Sequence, residues 1–296
     1  MEIHNAIRIY DGAVAIITGG ASGIGCAIAK ELASRGSEVV LADLQINLAQ
    51  QVATEIESAG GKARAVRIDV TDYPALEQLV QETINSKGRL DYIFNNAGIC
   101  IGGSADNYRI DEWEYIVNVN LYGVINGVQA AYPQMIRQGF GHIINTASMA
   151  GLMIGAGNIG YTTTKYAVVG LSKALRVEAA VMDVRVSVLC PGVIRTPILE
   201  GGKYGRKISD IPPELLKHLW EKLHPMPPNI FAKKVLDAIA KNKAIIIEPS
   251  WWKLFWWLDR LSQALSFALA EKSYRALLQK LPKTLWSSRT EKPPGR

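Results

Sequence analysis

The stretch YTTTK, residues 161–165, sets a phenol and an ammonium four positions apart. On a helix that spacing puts Tyr161 and Lys165 on one face. The spacing is common by itself. Thirteen positions upstream, INTASMAG ends an apolar run with Ser148, at the carboxyl edge where α/β sheets bind ligands. Further upstream, IVNVNLYG carries Asn120 inside a helical stretch. Near the N-terminus, AVAIITGGASGIGCAIAKELA reads as strand, glycine turn, helix. Gly19, Gly23 and Gly25 sit where backbone N–H groups and a helix N-terminus must approach a diphosphate. A Cβ at these positions would hold the phosphate away or push the helix off the strand. Eighteen residues after Gly25, LADL ends the next strand with Asp43. A carboxylate there can accept both hydroxyls of an adenosine ribose and repels a 2′-phosphate, which favours NAD over NADP.

These groups need a scaffold, and the chain supplies a regular one. Short apolar runs at 13–18, 38–42, 63–68, 90–94, 142–146, 185–189 and 244–247 read as strands covered on both faces. Helical stretches fall between them, at 23–35, 45–59, 74–87, 109–137, 160–182 and 229–241. Strand and helix in alternation imply right-handed crossovers and an α/β fold, a doubly wound, seven-stranded parallel sheet of Rossmann type. Residues 192–228 break the rhythm and read as a long insertion, of the kind that forms lids. The expected organisation is a catalytic domain over 1–249, containing that loop, and a helical extension over 250–296.

The motifs in this order, TGGASGIG, NNAG (95–98), Ser148, YTTTK and CPGVIRT (190–196), resemble the short-chain dehydrogenase/reductase family across about residues 11–248. The resemblance implies an NAD-dependent enzyme acting on CH–OH groups. It implies that Tyr161 is the acid/base, its pKa drawn below the free value near 10 by Lys165 and by a positive nicotinamide ring. Lys165 would also hold the nicotinamide ribose, Ser148 the substrate oxygen, and Asn120 a water that links Lys165 to solvent. Ile24 would offer its N–H to the diphosphate, Asp69 and Val70 would contact adenine, Asn96 would line the adenosine side, and Thr196 would fix the carboxamide. The family further implies a homodimer or homotetramer built on helices 109–137 and 160–182.

Ser148, Met149, Met153, Ile154 and Ile198 are expected to border the substrate, with Leu152, Ile194 and Leu199 close by. Their apolar character suits a secondary alcohol or ketone that is steroid-like, lipid-like or alicyclic. Arg195 is the one candidate clamp for a carboxylate. No metal is expected, because His4, His142, His218 and His224 form no ligand cluster. Three scattered cysteines and the lack of a signal peptide suggest a cytoplasmic protein with reduced thiols. Two readings of another class stand beside the enzyme: a catalytically silent NAD-sensing scaffold, and a membrane-surface protein that acts through its C-terminal helix.

The tail is unlike the body. Residues 251–296 hold nine Lys and Arg against three Asp and Glu, so the whole net charge of +6 sits there. A neutral body gives little reason to expect a nucleic-acid partner. WWKLFWWLDR (251–260) contains four of the seven tryptophans. A span of about 20 apolar residues is not available, with Asp259 and Arg260 in mid-segment. Leu254, Leu258, Leu261, Leu265 and Leu269 step by four, three, four and four, one apolar stripe on a continuous helix, with Asp259, Ser262, Gln263 and Ser266 opposite. The stripe is expected to pack on the protein's own sheet edge, on the loop 192–228 or on a partner subunit. The alternative is a membrane surface met through 251–285.

Overall fold

The computed structural model describes residues 6–199, 218 and 220–279. His4, the middle of the loop 192–228 and the last part of the tail lie outside them. Seven strands run parallel in one sheet: β1 Val14–Thr18, β2 Glu38–Asp43, β3 Lys62–Arg67, β4 Tyr92–Asn95, β5 Gly141–Thr146, β6 Val184–Pro191 and β7 Ile245–Glu248. Their order is β3-β2-β1-β4-β5-β6-β7. The chain winds outwards from β1 in one direction and then returns to β4 on its other side. The carboxyl ends of β1 and β4 therefore flank the point where the order reverses, the usual position of a ligand crevice in such sheets.

The expected continuous apolar strands have a simple cause. Ile16 and Val40 point into one core, and their neighbours Ala15, Ile17, Val39 and Leu41 into the other. Both faces of the sheet are covered, so both sets of alternating side chains must be apolar. The covering helices are α1 Gly23–Ser34, α2 Ile46–Ser58, α3 Tyr73–Lys87, α4 Ile110–Val117, α5 Gly123–Gln138, α6 Ile159–Ala180 and α7 Pro228–Ala240. Helix α3 shows how local chemistry sets the ends. Asp72 accepts from the Ala75 N–H at 3.2 Å, Pro74 sits in the first turn, and Gly88 closes the helix with φ +72°.

Two expected helices are interrupted. The stretch 109–137 is not one α-helix: a π-helical turn, Asn118–Tyr122, separates α4 from α5 and carries Asn120. The tail forms two helices, α8 Lys253–Leu261 and α9 Gln263–Leu278. Ser262 between them takes extended backbone (φ −151°, ψ 93°), and its Oγ accepts from the Leu265 N–H at 3.3 Å. The leucine stripe therefore does not run along one rod. Ser266 Oγ donates to Asp259 Oδ1 across the bend at 2.7 Å. Among the described residues no helix is long and apolar enough to cross a membrane.

A line of buried polar side chains crosses the sheet beneath its carboxyl end. Asn95 Nδ2 donates to Asn145 Oδ1 at 2.8 Å, and Asn145 Nδ2 to Ser172 Oγ at 3.0 Å. Ser172 in turn donates to the Val168 carbonyl at 2.7 Å. The line ties β4 to β5 and β5 to α6.

Candidate active site

The glycine turn opens directly from β1. Gly19 and Gly23 hold left-handed backbone (φ +65° and +54°), and a Cβ on Gly19 would meet Ala97 Cα at 2.8 Å. Helix α1 starts at Gly23 with no side-chain cap from Ser22, so its first N–H groups are left for a ligand at the mouth of the cleft. Gly19, Gly23 and Ile24 line that cleft. Gly25 does not. A Cβ there would sit 2.1 Å from the Gly19 carbonyl oxygen and 2.6 Å from Asn96 Nδ2, so this glycine serves the packing of α1 on its turn.

Asp43, Asp69, Val70, Asn96 and Thr196 border the same cleft. Asp43 Oδ2 accepts from the Ala21 N–H at 3.0 Å and Oδ1 from the Gln45 N–H at 2.9 Å. The carboxylate thus braces the glycine turn while it faces the cleft. Asn96 Nδ2 donates to the Thr18 carbonyl at 3.1 Å, and the Asn96 and Ala97 N–H groups donate to Thr18 Oγ1 at 2.9 and 3.1 Å. Asn96 therefore also holds β4 against β1 at the switch point. Asp69 Oδ1 accepts from the N–H and the hydroxyl of Thr71. Thr196 stands 3.3 Å from where a Gly23 side chain would begin, which brings the turn after β6 against the start of α1.

The catalytic candidates converge at the ends of β4, β5 and β6. The Ser148 side chain adjoins Tyr161 closely enough to favour its phenolate, and both line the cleft. Lys165 Nζ donates to the Thr146 carbonyl at 2.8 Å and lies 5.5 Å from the centre of the Tyr161 ring. Asn120 is fully buried behind the cleft lining. It accepts from the Ile99 N–H at 2.8 Å, donates to the Ile99 carbonyl at 2.9 Å, and reaches Thr164 Oγ1 at 3.2 Å. Its Oδ1 and Lys165 Nζ flank Gly98, 3.3 and 3.5 Å from the position of an added Cβ. The π turn widens the helix at this residue, a common device at functional sites.

The electrostatics differ from the expectation in one respect. Tyr161 borders the cleft, and burial pushes its pKa above the ordinary value. Cys100 adds to the rise, and the neighbouring Ser148 opposes it. Burial also pulls Lys165 down to about 8. In the protein alone, desolvation of a phenolate outweighs any help from an ammonium that points at the Thr146 carbonyl.

The cleft measures about 1080 Å³, enough for a nucleotide and a second molecule beside it. Ser148, Met149, Met153, Ile154 and Ile198 line its inner end, with Ile194 and Leu199, while Leu152 packs in the core below. Arg195 is not a clamp. It is exposed, it pairs with Glu221, and it does not border the cleft. Among the described residues no three His, Cys, Asp or Glu side chains gather as a metal site.

Sequence reasoning missed one wall. Trp252 and Phe255, Leu258 from α8, and Leu269, Ser273, Tyr274 and Leu277 from α9 all line the cleft. Trp252 lies flat on Gly192, where a Cβ would meet its Nε1 at 2.1 Å, and Trp252 and Trp256 both pack on the core. Tyr274 Cε2 stands 3.5 Å from the Cβ position of Gly157 in the loop after Ser148. The available signal was the second face of the tail. Trp252, Trp256 and Asp259 are spaced four and three apart, and that face turns inward.

Known proteins share this arrangement. The short chain dehydrogenase family matches residues 13–204. The chain is 39% identical over 206 residues to 2,5-dichloro-2,5-cyclohexadiene-1,4-diol dehydrogenase LinX of Sphingobium indicum, covering 70% of this chain and 79% of that protein. It is 34% identical over 190 residues to 3-oxoacyl-(acyl-carrier-protein) reductase FabG of Thermotoga maritima, covering 64% and 77% of the two chains. A short chain dehydrogenase/reductase from Burkholderia phymatum, solved in complex with NAD, superposes with a TM-score of 0.76 at 26% identity, over 88% of this chain and 96% of its own. The glycine turn at the switch point, the Ser148–Tyr161–Lys165 cluster and the extent of these matches lead to one conclusion: the chain belongs to the short chain dehydrogenase family of oxidoreductases.

Proposed function

We propose that this oxidoreductase transfers a hydride between NAD(H) and an apolar secondary alcohol or ketone. The observation that carries the reading is the adjoining Ser148, Tyr161 and Lys165 on the lining of a cleft walled by Met149, Met153, Ile154 and Ile198. The residues at the other end fit a dinucleotide. Gly19 and Gly23 leave a cradle that side chains would fill, and the uncapped start of α1 faces it. When bound there, NAD supplies the carbon that takes or gives the hydride. The protein supplies orientation and one proton.

Ser148 holds the substrate oxygen and Tyr161 carries its proton. Burial raises the Tyr161 pKa in the protein alone, and a positively charged nicotinamide bound in the cleft would favour the phenolate. Lys165 lies beside the Tyr161 ring, Asn120 Oδ1 and Lys165 Nζ both adjoin Gly98, and these two residues are the proposed route by which the proton leaves. Asp43 selects NAD by accepting the ribose hydroxyls. Ile24, Asp69, Val70, Asn96 and Thr196 take the cofactor contacts set out above. The relative that acts on a cyclohexadiene diol supports an alicyclic or similarly apolar substrate. Exposed Tyr166, Val177, Val181 and Met182 on and just after α6 support a dimer or tetramer, and three free cysteines support a reducing, cytoplasmic setting.

The test is incubation with NAD and a panel of hydrophobic and alicyclic alcohols, read by NADH absorbance. NADH formation with at least one of them is expected. Tight NAD binding with no turnover across the panel, or with its ketones and NADH, would instead favour a nucleotide-sensing scaffold.

A further inference from the structure

Helix α8 is apolar on two opposite faces. Trp252 and Trp256 turn towards the body and pack on its core. Leu254, Trp257 and Leu261, spaced three and four apart, occupy the far side and are 73%, 52% and 81% exposed. Burial explains the inner stripe. The outer stripe has no counterpart among the described residues, and Trp251 extends it.

Charge narrows what can cover it. In the described tail, 251–279, the basic Lys253, Arg260, Lys272 and Arg275 outnumber the acidic Asp259 and Glu271, against a neutral body. A second copy meeting this face about a two-fold axis would set the same patch, and the same charge, against itself. Lys253 and Arg260 flank the outer stripe and are exposed. A surface that is apolar inside and negative outside answers both features. Tryptophan rings settle at the headgroup level of a bilayer, and basic side chains beside an apolar helix face draw it to anionic lipid.

We propose that the outer face of α8, with its basic flank, docks on the surface of an anionic lipid bilayer. The helix lies in the interface and does not span it. The inner side of α8 and α9 places Leu258, Leu269 and Leu277 along the cleft, so docking sets the apolar end of the cleft beside the lipid. That consequence for substrate supply rests on the proposed dehydrogenase reading. The docking itself does not.

Co-sedimentation of the full chain with vesicles tests it. Strong pelleting is expected with phosphatidylcholine vesicles that contain phosphatidylserine, weak pelleting with phosphatidylcholine alone, and release by added salt. Lys253→Glu with Arg260→Glu should weaken binding more than tenfold, at about fivefold for each basic side chain lost. Leu254→Ser, Trp257→Ser and Leu261→Ser together should abolish pelleting. None of the three borders the cleft, so the unfolding temperature and NADH formation should stay near those of the parent. Absence of pelleting with anionic vesicles at low salt overturns the proposal. So does a triple variant that binds as well as the parent, or a parent dimer that this variant splits into monomers, which would assign the face to a second copy. Vesicle binding is read without substrate, so failure of the docking and failure of the dehydrogenase reading are separate results.

Discussion

Replacing Asp43 by alanine separates two duties that the structure gives one carboxylate. Its two oxygens offer about four lone-pair sites. Two accept the Ala21 and Gln45 N–H groups at 3.0 and 2.9 Å, and two remain for the hydroxyls of a ribose. Ala21 is 3% exposed, so its N–H loses its partner without gaining water. The cost is about 1–3 kcal/mol. At roughly 2–4 °C per kcal/mol for a large domain, the variant should unfold some 2–12 °C earlier without any nucleotide present. Each lost hydrogen bond between a ribose hydroxyl and the charged group is worth about 1.5–3 kcal/mol, so NAD affinity should fall at least tenfold. NADP should lose less or gain, because the repulsion of its 2′-phosphate disappears. Thermal unfolding without nucleotide and competition binding of NAD against NADP measure the two effects independently. Equal binding of NADP and NAD by the parent refutes the role in selection. A lower unfolding temperature with unchanged preference would reduce Asp43 to a brace of the turn.

Tyr161→Phe removes the transferable proton and should cut kcat by about 100-fold or more while NAD binding survives; near-parental turnover would remove Tyr161 from the mechanism. His142 should make the fold acid-sensitive. It is fully buried, its Nδ1 has no partner, and its Nε2 lies 2.9 Å from Ser187 Oγ, which already donates to the Lys243 carbonyl. Burial lowers its pKa to about 3, and Arg185 and Arg176 add to the drop. Between that value and the free value near 6.5 the unfolded chain binds the extra proton, so stability falls as pH drops through this window. By pH 5 the loss is about 2 kcal/mol. His142→Gln should flatten the unfolding temperature between pH 7 and 5 relative to the parent, and parallel profiles would contradict this origin. Gly192→Ala should lift Trp252 from its seat, costing about 1–3 kcal/mol. Faster proteolysis within 249–262 and a red-shifted tryptophan emission are expected, and if both stay unchanged the contact does not hold the tail.

Much of the sheet and of the site was legible because those features are carried by residue type at fixed spacing. Apolar strands covered on both faces leave unbroken runs, and glycines at a phosphate turn cannot be exchanged for other residues. What escaped reading depends on geometry that leaves little trace in composition. The π turn at Asn118–Tyr122 changes which carbonyl bonds to which N–H and keeps the helical look of 109–137. The bend at Ser262 was hidden because leucines on α8 and α9 happen to continue the same step. For Gly25, of the two reasons the motif offers, the packing of the helix on its turn is the one that the contacts express. Arg195 had an acidic partner 26 positions away that no local pattern reveals.

The polar line from Asn95 through Asn145 to Ser172 bears on how the chain finds its alignment. In a sheet with one wet face, a strand that slips by one residue exposes its apolar side chains and is rejected. Here β4 and β5 are buried on both sides, at every residue. A slip between them exchanges one apolar face for another, and hydrophobicity hardly registers the error. The buried amides do register it, because any other pairing separates Asn95 from Asn145 and Asn145 from Ser172, which keeps only its bond to the Val168 carbonyl. Leucine at both Asn95 and Asn145 should therefore leave a protein of similar stability with less uniform amide exchange in these strands, and a single sharp protection pattern would argue against this reading. Ser172 follows Lys165 by two turns of α6, while Asn95 directly precedes Asn96 at the switch point. The proofreading of strand alignment and the assembly of the two halves of the active site are therefore the same event.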